Sequence, residues 1–247
     1  MNTYSVTEKG LVRANNQDAY LNYFSPQWAL FVVCDGMGGH RAGDQASKLA
    51  SISIRDFFIR EKDRTDYEAL LREGVEAANK AVYEKSQTAE AYYNMGTTLV
   101  ACLVVKGVAY IAHVGDSRLY LWRRGALQQV TEDHSLVQKL VKQGLITPEE
   151  AKNHPDRSTL TRAVGTEPGL EVESDQCVLE EGDRILLCSD GLTTMLTDAE
   201  IKAAMEASER AREACETLVQ RALDRGGLDN ITITLFEYRS QSWTKFY

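Results

Sequence analysis

Three times in this sequence an apolar run ends on an aspartate beside glycine: Val32-Val33-Cys34-Asp35-Gly36, His113-Val114-Gly115-Asp116 and Leu187-Cys188-Ser189-Asp190-Gly191. A fourth aspartate, Asp229, stands at the start of an apolar run instead. Strand ends are rigid and glycine lets a neighbouring backbone come close, so carboxylates placed this way can be aimed at one point. Gathered carboxylates repel each other unless cations neutralise them. Magnesium and manganese take oxygen ligands of this kind. Taken alone, each Asp-Gly pair reads first as an ordinary turn after a strand. Their combination is what points to a metal centre.

The elements that must position these residues can be read from periodicity. The Tyr4 to Val12 region and the Trp28 to Cys34 run read as strands, the second apolar enough to be buried on both faces. Apolar residues at 46, 49, 50, 54, 57 and 58 lie on one helical face. A second helix follows Asp66, a candidate N-cap. Thr97 to Val105 and Val108 to Val114 form a hairpin through Lys106-Gly107, and Leu119 to Trp122 pairs with Leu127 to Thr131.

The pattern from Ser135 to His154 is helical, with a capping box at Thr147-Pro148-Glu149-Glu150. Residues from Asn153 to Gly169 read as a surface excursion. Arg184 to Cys188 is a buried strand, Thr197-Asp198-Ala199-Glu200 opens a helix, and a last helix ends at Gly226-Gly227 before the strand Ile231 to Tyr238. Runs of strands separated by pairs of helices predict an α+β architecture of antiparallel sheets covered by helices. No linker divides the chain, so one domain over residues 1–247 is expected, with a short tail at 239–247.

Bulk properties agree with a soluble globular protein. The 247 residues are 43% hydrophobic and 26% charged, enough apolar material for a large core. A net charge of −8 argues against nucleic acid or an anionic membrane surface as partner. Five cysteines without a CxxC pair, three of them inside apolar runs, fit a reducing compartment. No stretch reaches the length of a membrane span and no leader is evident at Met1, so a cytoplasmic protein is expected.

Six segments in order carry a resemblance: Arg13-Ala14-Asn15-Asn16-Gln17-Asp18, Asp35-Gly36-Met37-Gly38-Gly39-His40, Gly96-Thr97-Thr98, Val114-Gly115-Asp116-Ser117-Arg118, Ser189-Asp190-Gly191-Leu192 and Gly227-Leu228-Asp229-Asn230-Ile231-Thr232. Together they resemble the motifs of the protein phosphatase 2C family in its bacterial form, over residues 5–238. The resemblance implies a four-layer α-β-β-α sandwich with two antiparallel sheets, and a small flap near residues 145–169. It implies a protein phosphatase that hydrolyses phosphoserine and phosphothreonine with two Mn2+ or Mg2+ ions. Position by position, Asp35 would bridge the ions, the Gly36 carbonyl would touch one, Asp190 and Asp229 would hold the other, and Asp18 would stand in or beside the same shell.

Arg13 matches the residue that grips substrate phosphate, a task suited to the planar donor fork of a guanidinium. Two neighbouring cations lower the pKa of a shared water, so hydroxide can attack phosphorus in line with the leaving oxygen. His40 is a candidate general acid, competing with water and with a capping role. Asp116 resembles the ligand of a weaker third metal, although Thr194 stands where many relatives have a further aspartate. Arg157 and Arg162 in the flap could meet a phosphoprotein or remain solvated. Expected partners are phosphoprotein substrates and an opposing serine/threonine kinase, with the enzyme itself a monomer.

Overall fold

The computed structural model describes residues 2–38 and 42–240. The fold is built on two antiparallel sheets. One has five strands in the order β1 (Asn2–Glu8), β11 (Ile231–Glu237), β10 (Arg184–Cys188), β7 (Arg118–Arg123) and β8 (Ala126–Gln129). The other has β2 (Asp18–Phe24), β3 (Ala29–Met37), β5 (Leu99–Val105), β6 (Val108–Val114) and β9 (Glu173–Val178), with the two-residue β4 (Gly96–Thr97) pairing the end of β3.

The strand β3 shows why the sheets stack between helices. Side chains alternate across a strand, and here both faces are apolar. Leu30, Val32 and Cys34 pack with Ala46, Ala50, Ile54 and Val75 of α1 (Ala42–Arg60) and α2 (Tyr67–Ser86). Phe31 and Val33 point the other way, meeting Leu119, Ile185, Leu187 and Phe236 of the second sheet. The rings of Phe31 and Phe236 stack at 4.2 Å. On the far side of that sheet, Leu186, Ile231 and Ile233 bury against Ile201 of α6 (Asp198–Glu206) and Leu218 of α7 (Ala211–Asp224). Three apolar seams thus separate four layers, as the family resemblance implies.

Some boundaries differ from expectation. β1 stops at Glu8, and Leu11 and Val12 stand exposed in the following loop. Neither β2 nor β9 is announced by periodicity. β2 mixes half-buried and exposed positions, and β9, Glu-Ser-Asp-Gln-Cys-Val, is a mostly exposed edge strand held by backbone pairing to β6. Asp66 precedes α2 but makes no side-chain cap, because its carboxylate accepts from Arg64 Nε at 3.0 Å. The capping box at Thr147 is present, with Thr147 N–H on Glu150 Oε2 at 2.8 Å, and it opens the short helix α4 (Pro148–Lys152) after α3 (Leu136–Lys142).

The excursion after Asn153 is more than a surface loop. Its return leg is stitched beside β4, with Val164 N–H on the Thr97 carbonyl at 2.8 Å and Thr97 N–H on the Val164 carbonyl at 3.0 Å. The buried Asn79 of α2 accepts Gly165 N–H at 2.7 Å and donates to the Glu167 carbonyl at 3.0 Å. The tip around Arg157 is exposed. No helix among the described residues is long and apolar enough to cross a membrane, and none of the five cysteines forms a disulfide.

Candidate metal centre

The antiparallel register of β2 and β3 sets Asp18 directly opposite Asp35. Each is held by its backbone. Asp35 N–H donates to Thr98 Oγ1 at 2.9 Å, and the Asp35 carbonyl accepts Thr98 N–H at 2.8 Å. Gly36 N–H donates to the Gln17 carbonyl at 3.1 Å. A Cβ on Gly36 would lie 2.1 Å from the Gly43 carbonyl oxygen, so the strand end touches the first turn of α1 only because residue 36 has no side chain.

The second sheet repeats the arrangement. Asp190 opens the short helix α5 (Asp190–Thr193) after β10, and Asp229 lies just before the antiparallel neighbour β11. A Cβ on Gly191 would sit 2.0 Å from the Asn230 carbonyl oxygen, and that contact brings the two aspartates side by side.

Two residues join the halves. Ser189 Oγ, from the five-stranded sheet, donates to Asp18 Oδ2 of the six-stranded sheet at 2.7 Å, and accepts Thr232 N–H at 2.9 Å. Buried Asn230 accepts Gln17 N–H at 2.8 Å and donates to the carbonyls of Lys9 at 2.8 Å and Asn15 at 3.0 Å. It therefore clamps the loop that carries Arg13 and Asp18 onto the start of β11. Ser189 and Asn230 lie within the sequence motifs, but residue type and spacing assign them no task. Their signal was present all the same, since each is a small polar residue inside an apolar stretch next to a charged one.

The electrostatics of the cluster follow from burial and crowding. Burial first, then the charges of Asp190 and Asp229, pushes Asp18 up to about 7 despite hydrogen bonds from Thr232 and Ser189. Asp35 is raised well above the carboxylate range by burial and by Asp18, Asp190 and Asp116. Asp190 is raised by burial and by Asp229. Asp116, in the turn between β6 and β7, is pushed up to about 8 by burial and by Asp190. It thus belongs to the same electrostatic cluster.

The Oδ1 atoms of Asp18 and Asp190 are buried without a hydrogen-bond partner among the described residues. Buried carboxylate oxygens normally find donors. Such orphaned oxygens, in an all-oxygen donor set, fit hard divalent cations. At the mouth, Arg13 Nη2 donates to Asp229 Oδ2 at 2.6 Å while the arginine side chain remains 53% exposed. That hydrogen bond raises the guanidinium further.

Thr194 is exposed at the end of α5, its N–H on the Asp190 carbonyl at 2.8 Å. The proposed general acid, His40, lies outside the described residues. In the flap, Arg162 pairs with Glu171 at 2.6 Å, and its Nη1 is 3.4 Å from His134 Nε2.

A second cluster went unnoticed in the sequence because its members are far apart along the chain. His113 at the end of β6, His134 and Glu173 of β9 offer ligand atoms within 4.8 Å of one another, a set suited to a divalent cation. The imidazoles stack at 4.6 Å. His113 Nε2 faces the Glu132 carbonyl at 2.8 Å, His134 Nδ1 accepts Gly115 N–H at 3.2 Å, and His134 Nε2 meets Glu173 Oε2 at 3.1 Å. Gly115 links this cluster to Asp116.

Buried carboxylates with a guanidinium at their mouth suit metal-dependent hydrolysis of a phosphoester. Comparison with known proteins takes the assignment further. The model of the protein phosphatase 2C family matches residues 11–226, and the chain belongs to that family.

It is 38% identical over 240 residues to the serine/threonine phosphatase stp of Listeria welshimeri, covering 94% of this chain and 93% of the relative. The crystal structure of serine/threonine phosphatase Stp1 from Staphylococcus aureus superposes with a TM-score of 0.91 at 36% identity, covering 96% and 94% of the two chains. The catalytic domain of the phosphatase PstP in complex with two manganese ions gives a TM-score of 0.83 at 36% identity, covering 94% and 96%. The chain is thus a metal-dependent protein-serine/threonine phosphatase acting on phosphoproteins.

Proposed function

We propose that the catalytic metal centre of this phosphatase is the aspartate cluster, in one catalytic unit spanning residues 5–238. Asp35 and the Gly36 carbonyl, with Asp190 and Asp229, would hold two Mn2+ or Mg2+ ions, and Asp18 would stand in or beside their shell. A weaker third ion would engage Asp116. The orphaned Oδ1 atoms of Asp18 and Asp190 carry this reading, because they are buried acceptors without a hydrogen-bond partner among the described residues. The two manganese ions of the similar PstP domain support it.

When bound, such ions supply a nucleophile at neutral pH and offset negative charge on the phosphoryl group. The chain's own residues do the rest. Arg13 exchanges the Asp229 carboxylate for two phosphate oxygens, placing phosphorus against the cluster. Ser189 and the β2–β3 register keep Asp18 from swinging away, and Asn230 keeps the Arg13 loop on the same scaffold. His40 is the candidate proton donor to the departing serine or threonine oxygen.

The net charge of −8 speaks against nucleic acid as a partner, and the enzyme is read as a cytoplasmic monomer working against a serine/threonine kinase. The decisive experiment removes metal with a chelator, restores manganese or magnesium, and counts ions bound to wild type and Asp190→Ala by mass spectrometry. Loss of both an ion and activity in the variant is expected. Full ion content with full activity would move the centre elsewhere, to the His113, His134 and Glu173 cluster first.

A further inference from the structure

Among the described residues, Leu11 is 68% exposed, Val12 63% and Leu228 49%. Single exposed apolar side chains are ordinary, but a contiguous group beside a functional site is not. The fold gathers the two leucines, and Val12 follows Leu11 directly in the chain. Leu11 N–H donates to the Gly227 carbonyl at 2.8 Å, which ties the loop after β1 to the corner before β11. A Cβ on Gly227 would come within 3.2 Å of Leu11 Cγ, and one on Gly226 within 3.6 Å of Leu228 Cδ2. The two leucines therefore flank one Gly-Gly corner. The next residues along the two segments, Arg13 and Asp229, form the ion pair at the mouth of the cluster.

We propose that Leu11, Val12 and Leu228 form an apolar shelf for the substrate polypeptide, so that the enzyme prefers phosphosites with an aliphatic or aromatic residue close to the phosphorylated one. This rests on the reading that Arg13 receives the phosphate. An extended chain advances about 3.3–3.6 Å per residue, and alternate side chains share a face. Once a phosphoserine is held at Arg13, its neighbours one or two positions away must pass over the residues adjacent to Arg13. Those adjacent residues are the shelf. Continuity with the phosphate site is what selects the substrate as occupant, because any phosphorylated segment that reaches Arg13 already covers this surface.

The test measures kcat/KM of the manganese-loaded full chain on matched phosphothreonine peptides, with leucine or serine at each of the flanking positions, and on p-nitrophenyl phosphate. Wild type should favour a leucine-flanked peptide by about ten-fold, the discrimination that one apolar side chain in a partial pocket supplies. In L11S/L228S that preference should collapse through KM, while hydrolysis of the aryl phosphate, which has no neighbouring residue to dock, stays within about two-fold. That control also reports that the variant is folded.

Equal rates on the two peptide types in wild type, or a preference that survives L11S/L228S, overturns the shelf. So does a concentration-dependent dimer, abolished by the double substitution, without any peptide preference. Failure of the underlying reading looks different: R13A would then hydrolyse both peptide and aryl phosphate at the wild-type rate.

Discussion

Two clusters of candidate cation ligands meet around Gly115, and their surroundings treat them in opposite ways. In the histidine cluster the polar atoms have partners. The Gly115 N–H occupies His134 Nδ1, which assigns the proton to Nε2 facing Glu173, and the Glu132 carbonyl engages His113 Nε2. Burial holds His113 below the ordinary imidazole value. In the aspartate cluster the opposite holds, with buried acceptors that lack donors among the described residues and carboxyls that raise one another.

Both sets suit a divalent cation by ligand type. They differ in what they lose without one. A cation at the histidines must displace the proton that His134 directs at Glu173, whereas one at the aspartates takes the place of protons that burial and the neighbouring carboxyls hold there.

The largest test of that contrast is Asp190→Ala. Activity on a phosphopeptide should fall about a thousand-fold with the fold retained by circular dichroism, the scale seen when a principal stabiliser of transition-state charge is removed. Arg13→Lys keeps the charge but not the planar fork, and kcat/KM should drop about ten- to a hundred-fold. A variant as active as wild type would make Arg13 a counter-ion of Asp229 and nothing more.

His134→Ala should leave manganese-dependent turnover within about ten-fold while costing about 1–3 kcal/mol of stability in urea, since the buried Gly115 N–H loses its acceptor. If instead its activity fell as far as that of Asp190→Ala, the distinction between the clusters would be gone.

The smallest effect is in stability against pH. Asp18 and Asp116 rise from an ordinary value of 3.8 to about 7 and about 8. An acid with a folded pKa above its unfolded one binds more protons when folded, so stability is fully present below the unfolded value and declines as pH rises towards the folded one. The melting temperature of chelated protein should therefore fall by several degrees between about pH 4 and pH 8. With manganese saturating, that slope should flatten. A slope unchanged by metal would show that the ions do not sit among these carboxyls.

How much of this was legible beforehand differs residue by residue. Asp35 and Asp190 were legible because a strand buried on both faces leaves a continuous apolar run, and the charge that ends it stands out. Asp229 was legible as the mirror case at a strand start. The strand β9 was not, because an exposed edge strand carries no apolar alternation and draws its order from backbone bonds to β6. The stitches at Val164 and Gly165 were hidden for a similar reason. A loop's polarity says nothing of the backbone groups it satisfies, and here those belong to Thr97 and Asn79.

The sequence by itself determined the layered α+β class, the strand-end aspartates and the arginine, since each is a local matter of period, turn chemistry and residue type. Only the tertiary structure decided that Asp18 stands across from Asp35, that Ser189 ties one sheet's carboxylate to the other, and that His113, His134 and Glu173 converge. Those facts depend on register and on which sheet faces meet. Register follows from the burial of whole faces rather than from any short stretch of residues.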